Sequence, residues 1–456
     1  MAYKNFDVIV IGAGAAGYSA SFKAVAAGLK VALIEKEKIG GICLNWGCVP
    51  SKSLQASAEL FEKIQKAKDF GLKGVDFGKI KPDWTAMIAR ANSLALQSSK
   101  RTEEKLHRSG VEILKGEAIV IDSENISLNG DNLTCENLII ATGSRYTFPT
   151  FLKQMDSDFY TPKTILTLEE LPKSMTIIGG GVIGIEYACL FATLGVDVNL
   201  VDEKKKIMPY MDNDLTQYLQ EILHQKKIKV FSGYKATSYS ARDKLVIQKE
   251  DEILMLKTDI YLSCIGRKGN FFGLENLLKA GLEIYSDHIR TDTSCRTNLP
   301  HVYAVGDING RFMTAHVASK EGEAAVDAIL EKEENLIYDF MPYNMYSNPE
   351  FASVGLTEKE ALHRGFLVST GKFSLSHNAK AQADGDAGGF IKIVFDKKTE
   401  EILGVHIATK HATDLIGEAI VAMNAGMTIK EFAKLTHPHP TLSEALVETA
   451  YKGIET

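Results

Sequence analysis

The sequence predicts an α/β fold with two parallel-sheet nucleotide-binding domains followed by a smaller α+β domain. Two observations support this prediction. A glycine motif, G-x-G-x-x-G, occurs twice in the 456 residues, each time between an apolar strand and a helix. From about residue 337, strand-like segments such as 352–356 and 390–395 alternate with helical patterns, which is typical of a compact domain with an antiparallel sheet.

The first glycine motif lies close to the N-terminus. An apolar strand at residues 8–11 leads into Gly12, Gly14 and Gly17, and an alanine-rich helical pattern then runs to Gly28. A second apolar strand follows and ends at Glu35. Strand, glycine turn, helix and strand in this order form one βαβ unit.

The second motif repeats this plan. It contains Gly179, Gly181 and Gly184 and is followed by a helical pattern and a strand that ends at Asp202. The acid follows the first glycine by 23 positions in both units, from 12 to 35 and from 179 to 202. One such motif is weak evidence, but two with an acid at the same offset predict two Rossmann-like domains that each bind a dinucleotide.

Each residue type in these units has a physical role. The first glycine permits a tight turn, the second lets a pyrophosphate approach the backbone, and the third lets the helix pack against the strand. The helix N-terminus offers free N–H groups and a positive dipole to the phosphates. The carboxylates of Glu35 and Asp202 would accept hydrogen bonds from a ribose.

Further strands suggest that the first domain is split in sequence. One runs into Thr142 and Gly143 before the second unit, and another runs into Gly266 after it. A third ends at Asp307, before a helix that begins at about Ala315. Asp307 is placed to bind sugar hydroxyls, with a simple helix cap as the alternative. We predict a chain divided into residues 1–143, 144–265, 266–336 and 337–456.

Composition excludes several classes of protein. A net charge of -6 and a pI of about 6.1 do not favour binding to nucleic acid or to an anionic membrane. The longest apolar runs are far shorter than the ~20 residues of a membrane span. Six cysteines in this length do not indicate a secreted disulfide scaffold. We therefore expect a cytoplasmic protein, with a processed organellar form as the alternative.

Only Cys43 and Cys48 are close enough in sequence to suggest a joint role, in the segment GGICLNWGCVPSK at residues 40–52. A zinc site would need further cysteines or histidines nearby, and none is present. A structural disulfide would close too short a loop to stabilise the chain much. A redox disulfide fits better, because a glycine-rich helix start can lower a thiol pKa.

This segment resembles the redox loop of the pyridine nucleotide-disulfide oxidoreductases. The string HPTLSE at residues 439–444 is similar to a second signature of that family, and the likeness spans residues 12–444. The resemblance implies FAD in the first nucleotide unit, NAD in the second, and a homodimer formed by the C-terminal domain. We expect no metal. The implied FAD contacts are Gly12, Gly14, Gly17, Glu35, Lys52, Thr142, Gly143, Asp307 and Ala315, and the implied NAD contacts are Gly179, Gly181, Gly184, Asp202 and Gly266.

The resemblance also implies catalytic roles. Cys43 would exchange with a dithiol substrate, and Cys48 would face the flavin as a charge-transfer thiolate. Lys52 would lie beside the flavin ring and pair with Glu186.

His439 would be the acid-base group, oriented by Glu444, and both would serve the disulfide of the partner subunit. Histidine titrates near neutral pH, as thiol-disulfide exchange requires. His437 is expected to support rather than to catalyse.

Within the family, the likeness is greatest to the enzymes that oxidise dihydrolipoyl groups with NAD+. Lipoyl-bearing subunits of 2-oxoacid dehydrogenase or glycine cleavage complexes would then be partners. The alternative is an NAD(P)H-dependent disulfide reductase of the glutathione reductase type. Asp202 and Glu203 would repel a 2′-phosphate and favour NAD, although the lysine run at 204–206 leaves NADP open.

Some positions depart from the family pattern. Trp46 replaces a small or aliphatic residue inside the redox loop, and Lys380 replaces a frequent arginine. Gly269 replaces a proline, which predicts a more flexible segment at 266–270. None of these changes removes a chemical group that the mechanism needs.

Overall fold

A computed structural model describes residues 4–74, 76–152, 158–240, 244–332 and 335–455 of the chain. It confirms the predicted fold class, with two parallel sheets and a C-terminal antiparallel sheet. Within these residues, no helix has the length and apolar character needed to cross a membrane. The division at 143/144, 265/266 and 336/337 stays a prediction.

The first part of the chain forms a sheet whose parallel strands follow the order β3-β2-β1-β6, with β19 beside β6 and the antiparallel strands β5 and β4 beyond. Its elements are β1 (Lys4–Ile11), α1 (Ala15–Ala26), β2 (Val31–Glu35), α2 (Gly41–Asn45), α3 (Cys48–Gln65), α4 (Trp84–Ser109), β3 (Glu112–Lys115), β4 (Ala118–Val120), β5 (Asn125–Leu128) and β6 (Asp131–Ile140). Strand β19 (Val302–Ala304) comes from much later in the sequence.

The second parallel sheet has the strand order β11-β10-β9-β15-β8, and an antiparallel sheet β12-β13-β14 accompanies it. The elements of this part are β7 (Ser144–Tyr146), β8 (Phe159–Tyr160), β9 (Ser174–Ile178), α5 (Val182–Thr193), β10 (Asp197–Asp202), α6 (Asn213–Gln225), β11 (Lys229–Ser232), β12 (Lys235–Ser240), β13 (Lys244–Lys249), β14 (Glu252–Leu256) and β15 (Ile260–Ser263). The order β11-β10-β9-β15 repeats β3-β2-β1-β6, so both glycine motifs begin at a central strand.

The chain then returns to the first sheet. The elements of this part are β16 (Arg267–Gly269), α7 (Glu275–Lys279), β17 (Ile284–Tyr285), β18 (His288–Ile289), β19 and α8 (Ala315–Ile329). The segment at Gly269 is a strand rather than a loose loop, because β16 pairs with β7. A Cβ at Gly269 would come within 2.8 Å of the Asp287 carbonyl oxygen, so the glycine serves a close approach.

The C-terminal part forms an antiparallel sheet in the order β20-β21-β24-β23-β22. Its elements are β20 (Tyr343–Met345), β21 (Glu350–Gly355), α9 (Glu358–His363), β22 (Val368–Ser374), α10 (Ala379–Ala383), β23 (Phe390–Asp396), β24 (Ile402–Thr409), α11 (Ala412–Asn424), α12 (Ile429–Ala433) and α13 (Glu444–Ile454). Helix α13 packs against β22 and β23.

Two features hold the C-terminal part against the second sheet. Helix α3 and strand β20 share one apolar core with α5, through Leu54, Ile185 and Met345. The buried ammonium of Lys392 in β23 contacts the carboxylates of Asp212, Asp214 and Glu358 at 3.0, 2.7 and 2.7 Å. The redox helix α3 therefore packs into the core that the second sheet shares with the C-terminal sheet.

Candidate active site

The cysteine pair lies against the first glycine motif. Cys43 is in α2, and Cys48 is the first residue of α3. Gly40 donates its N–H to the Ala13 carbonyl at 2.7 Å, and a Cβ at Gly41 would come within 2.8 Å of the Gly14 Cα. The two glycines, both with positive φ, thus let the redox loop approach the nucleotide loop closely.

The two thiols have opposite electrostatic environments. A hydrogen bond from the Cys43 thiol lowers the pKa of Cys48 to about 7; the Lys52 ammonium adds to this effect, while burial and Glu186 oppose it. The same hydrogen bond and burial raise the pKa of Cys43. Cys48 is therefore the thiol of the pair that ionises near neutral pH, which also suits its place at a helix N-terminus.

Lys52 and Glu186 meet next to this pair, as predicted from the sequence. The Lys52 ammonium donates to Glu186 Oε2 at 2.7 Å. The backbone N–H of Tyr346 donates to Glu186 Oε1 at 2.8 Å, and the Tyr346 ring lies 4.2 Å from the Lys52 ammonium. Tyr346 was not predicted from the sequence, because nothing in its local pattern points to a residue nearly 300 positions earlier.

The first glycine motif leaves open space where a phosphate would need it. A Cβ at Gly12 would come within 2.3 Å of the Ala141 oxygen, and one at Gly17 within 1.8 Å of the Gly12 oxygen, so both positions require glycine. No atom lies within 4 Å of the Cβ position at Gly14, and no side chain caps α1 there. Glu35 accepts the Ala13 N–H at 2.8 Å, which holds the loop.

The second motif has the same geometry. A Cβ at Gly179 would approach the Cys264 oxygen to 2.3 Å, and one at Gly184 would approach the Gly179 oxygen to 1.9 Å. Gly181 faces open space at the uncapped start of α5. Asp202 accepts the Gly180 N–H at 2.5 Å and the Lys204 N–H at 2.7 Å.

Both sites therefore fit a dinucleotide. Each combines uncapped helix N–H groups, a space without side chains, and a carboxylate that still has lone pairs for a ribose. The lysines at 204–206 are exposed, in agreement with a solvated charge run.

Asp307 does not cap the following helix, since α8 begins at Ala315 and Thr314 holds its N-cap position without a side-chain cap. Instead, Asp307 contacts Arg267 Nη1 at 2.6 Å and accepts a hydrogen bond from Ser144 Oγ at 2.6 Å. The sequence did not identify Arg267 and Ser144 as site residues, because they contact Asp307 only through the folded chain.

The remaining predicted nucleotide contacts lie in connected turns. The Thr142 hydroxyl donates to the Asn270 carbonyl at 2.7 Å, and Gly143 accepts the Asn270 N–H at 2.9 Å. Gly266 accepts both the N–H and the hydroxyl of Thr147, at 3.1 and 2.8 Å. Gly143 and Gly266 both adopt positive φ, so these turns at strand ends favour glycine.

His439 and Glu444 form the second half of the predicted catalytic set. His439 Nδ1 and Glu444 Oε1 are 2.8 Å apart, and the Thr441 N–H donates to Glu444 Oε2 at 2.8 Å. These contacts lower the pKa of Glu444, the Thr441 N–H more than His439, and keep it an acceptor. Because the Glu444 carboxylate is an acceptor, the proton of the neutral His439 ring lies on Nδ1, which faces it.

The His439 side chain is 73% exposed. Across the described ranges, no hydrogen bond joins it to the cysteine pair of its own chain. His437 instead bonds to Glu418 Oε1 at 2.6 Å through Nε2.

The other cysteines and Lys380 have local roles. Cys135, Cys189 and Cys295 are buried thiols, and Cys264 is half-buried. Lys380 bonds to Asp384 one helical turn away. In the part of the chain that the structure describes, no three His, Cys, Asp or Glu side chains gather as metal ligands do.

Comparison with family models gives two matches. Residues 6–322 match a model described as pyridine nucleotide-disulphide oxidoreductase. Residues 341–450 match a model described as the dimerisation domain of the same family. Together they cover most of the chain.

Whole proteins also match over nearly their full length. Proteins named dihydrolipoyl dehydrogenase from Bacillus subtilis and Chlorobaculum tepidum are 37% and 35% identical to this chain, over 98% and 99% of it and 97% of their own lengths. Among solved structures, LpdA from Mycobacterium tuberculosis has a TM-score of 0.90 at 24% identity, with 98% of this chain and 99% of LpdA covered. RclA from Escherichia coli, a flavoprotein disulfide reductase, has a TM-score of 0.85 at 23% identity, with the same coverage. These structures share the fold.

Proposed function

The chain belongs to the pyridine nucleotide-disulphide oxidoreductases, and on that premise we propose that it is a dihydrolipoyl dehydrogenase, which oxidises protein-bound dihydrolipoyl groups to lipoyl groups with reduction of NAD+ to NADH. The observation that carries this proposal is the arrangement of Cys43 in α2 and Cys48 at the start of α3, beside the Lys52–Glu186 pair. The full-length relatives support the choice of substrate.

Membership of this family implies a flavin and a pyridine nucleotide, and we assign FAD to the first glycine motif and NAD to the second. When bound, the flavin would supply the two-electron relay between the cysteine pair and NAD+. Asp202 supports NAD over NADP, since it would repel a 2′-phosphate. The proposed FAD contacts are Gly12, Gly14, Gly17, Glu35, Lys52, Thr142, Gly143, Asp307 and Ala315; those for NAD are Gly179, Gly181, Gly184, Asp202 and Gly266.

The exchange begins from the Cys43–Cys48 disulfide. One substrate thiolate attacks Sγ of Cys43, the disulfide bond breaks, and Cys48 leaves as a thiolate. The second substrate thiol then attacks the mixed disulfide at the substrate sulfur, which closes the lipoyl ring and releases Cys43. Two electrons reach the cysteine pair, and the low pKa of Cys48 makes it the better leaving group.

His439 would take the proton of the attacking substrate thiol through Nε2, while Glu444 fixes the ring through Nδ1. Because His439 is highly exposed and makes no hydrogen bond to the cysteines of its own chain, we assign it to the cysteine pair of a second subunit. The match to a dimerisation domain supports a homodimer. Lipoyl-bearing subunits of 2-oxoacid dehydrogenase or glycine cleavage complexes would be the substrates, in the cytoplasm.

An anaerobic assay tests this function. The flavin-loaded protein is mixed with dihydrolipoamide and NAD+, and separately with oxidised glutathione and NADPH. We expect NADH formation only in the first mixture, and its loss in a Cys48→Ser variant that retains flavin. Turnover only in the second mixture would contradict the proposal, as would full activity of Cys48→Ser.

A further inference from the structure

Tyr346 contacts both members of the Lys52–Glu186 pair. Its backbone N–H donates to Glu186 Oε1 at 2.8 Å, and its ring centre lies 4.2 Å from the Lys52 ammonium. Lys52 itself donates to Glu186 Oε2 at 2.7 Å, so the three residues form a closed set of contacts. Tyr346 follows strand β20, whereas Lys52 and Glu186 lie on helices α3 and α5. The C-terminal part of the chain thus reaches the redox site from the same subunit.

The two side chains that Tyr346 contacts differ in burial and in mobility. The Glu186 side chain is nearly buried, at 9% exposure, and one backbone N–H fixes one of its oxygens. The Lys52 side chain is 31% exposed and carries its charge on a long, flexible stem. An aromatic face attracts an ammonium at this distance and limits its access to water. The ring therefore restrains the more mobile partner.

We propose that Tyr346 is a positioning residue, whose ring holds the Lys52 ammonium at the distance from Glu186 and Cys48 that supports the Cys48 thiolate. This inference rests on the proposed function, because it assigns that thiolate a place in the redox relay.

The pKa of Cys48 depends on several groups, and Tyr346 contacts two of them, Lys52 and Glu186. Lys52 favours the thiolate and Glu186 disfavours it, so the balance depends on where the ammonium lies. The other titratable groups around Cys48 are Cys43, Tyr18 and Tyr146. In the described ranges, none of these three makes a hydrogen bond or ring contact with Tyr346.

Loss of the Tyr346 ring should raise the pKa of Cys48. In a Tyr346→Leu variant the backbone N–H remains, so Glu186 keeps its position and its negative charge stays close to Cys48. Lys52 loses the ring face, takes up water and moves away from the thiolate. We therefore expect the pKa of Cys48 to rise by about one unit, the lower end of the shift that a single neighbouring charge causes.

The test is a pH titration of the flavin-loaded protein after reduction by one equivalent of dithionite, so that it does not require dihydrolipoamide oxidation. The readout is the long-wavelength absorbance that a Cys48 thiolate gives against the flavin. Tyr346→Leu and Tyr346→Met, both without a ring, should raise the midpoint, and Tyr346→Phe should keep it. A variant is scored when its flavin content equals that of the unchanged protein, and two ringless variants allow for one that folds poorly.

A matched control is Tyr234→Leu, which removes a tyrosine ring 5.4 Å from the ammonium of Lys249; Tyr234 lies in the turn between β11 and β12, outside the redox site. Its midpoint should stay unchanged. Equal midpoints in the unchanged protein and in the ringless Tyr346 variants would overturn this inference alone. Absence of the absorbance in the unchanged protein would instead overturn the proposed function, and this inference with it.

Discussion

The ammonium of Lys163 lies 3.9 Å from the centre of the Trp46 ring. Trp46 stands between the two redox cysteines in the sequence. Lys163 also bonds to Glu37 Oε2 at 2.8 Å, just beyond the acid that ends β2. The Lys38 ammonium lies 5.7 Å from the same ring. Trp46, an unexplained departure in the sequence, thus ties the redox loop to two neighbouring segments.

This contact predicts a measurable coupling between Trp46 and Lys163. Lys163→Met should destabilise the protein by about 0.5–1 kcal/mol through the lost cation–π contact. In a Trp46→Leu background, Lys163→Met should cost about 0.5–1 kcal/mol less, because the cation–π contact is already absent there. The bond to Glu37 is lost in both backgrounds and does not contribute to the difference. Thermal midpoints at fixed protein and flavin concentration measure the cycle. Equal costs in the two backgrounds would remove any role for the ring.

A second prediction concerns the thiol pair. Cys43→Ala removes the hydrogen bond that does most to lower the pKa of Cys48, so the midpoint of its thiolate titration should rise above about 7, toward the ordinary value of 9.0. Thiolate absorbance of the reduced protein against pH measures it, with Cys48→Ser as the blank. A midpoint that stays near 7 would show that Lys52, rather than Cys43, controls the thiolate.

Mixed dimers test the assignment of His439 to the partner subunit. His439→Ala alone should lower the rate of dihydrolipoamide oxidation about 10²–10⁴-fold, the usual effect of removing a general acid-base group. When His439→Ala and Cys48→Ser chains are dissociated and reassembled together, each mixed dimer should regain one intact site. Activity should therefore return on mixing. No recovery in mixed dimers isolated by separate tags would place both groups in one chain.

The buried ammonium of Lys392 predicts a large loss of stability on its removal. Lys392→Met leaves the buried Asp212 carboxylate without a counterion, which typically costs about 3–5 kcal/mol. The matched control is Lys229→Met, which breaks an exposed pair with Asp197 and should cost less than about 1 kcal/mol. Urea midpoints at fixed protein concentration compare the two. A similar small loss in both variants would contradict the prediction.

The same cluster predicts an acid dependence. Burial alone would raise the pKa of Asp214, but Lys392 and Lys372 lower this pKa below its ordinary value of 3.8. A carboxyl with a lowered pKa stabilises the fold above its unfolded pKa, and this contribution is lost as the pH falls through the folded value. The difference in stability between the parent and Lys392→Met should therefore shrink below about pH 4. A difference that stays constant down to pH 2 would exclude this linkage.

The features that were predicted correctly are those set by residues close together in the sequence. The glycine turns, the acids at Glu35 and Asp202, and the place of Cys48 at a helix start follow from neighbours within about 25 positions, and the first turns of α1 and α5 lie as expected. The antiparallel C-terminal sheet was also predicted, from strand-like segments that alternate with helical patterns. Local patterning carries this information because it reflects backbone geometry.

What the sequence did not predict arises from contacts between distant segments. Tyr346 approaches Lys52 only because β20 and α3 share a core, and no periodic pattern records that contact. Lys392 lies within an apolar strand and gives no sign that three acids from other elements surround it. Gly269 suggested looseness where the fold instead requires a close backbone approach.

The acids that end β2 and β10 have a practical consequence for enzyme engineering. Glu35 and Asp202 each bond to an N–H of their own glycine loop, at 2.8 and 2.5 Å, so each braces the loop in addition to the ribose contact proposed for it. A designer who exchanges Asp202 for a small neutral residue to admit a phosphorylated cofactor would also release Gly180. A successful redesign must supply a new acceptor for that N–H together with the new cation.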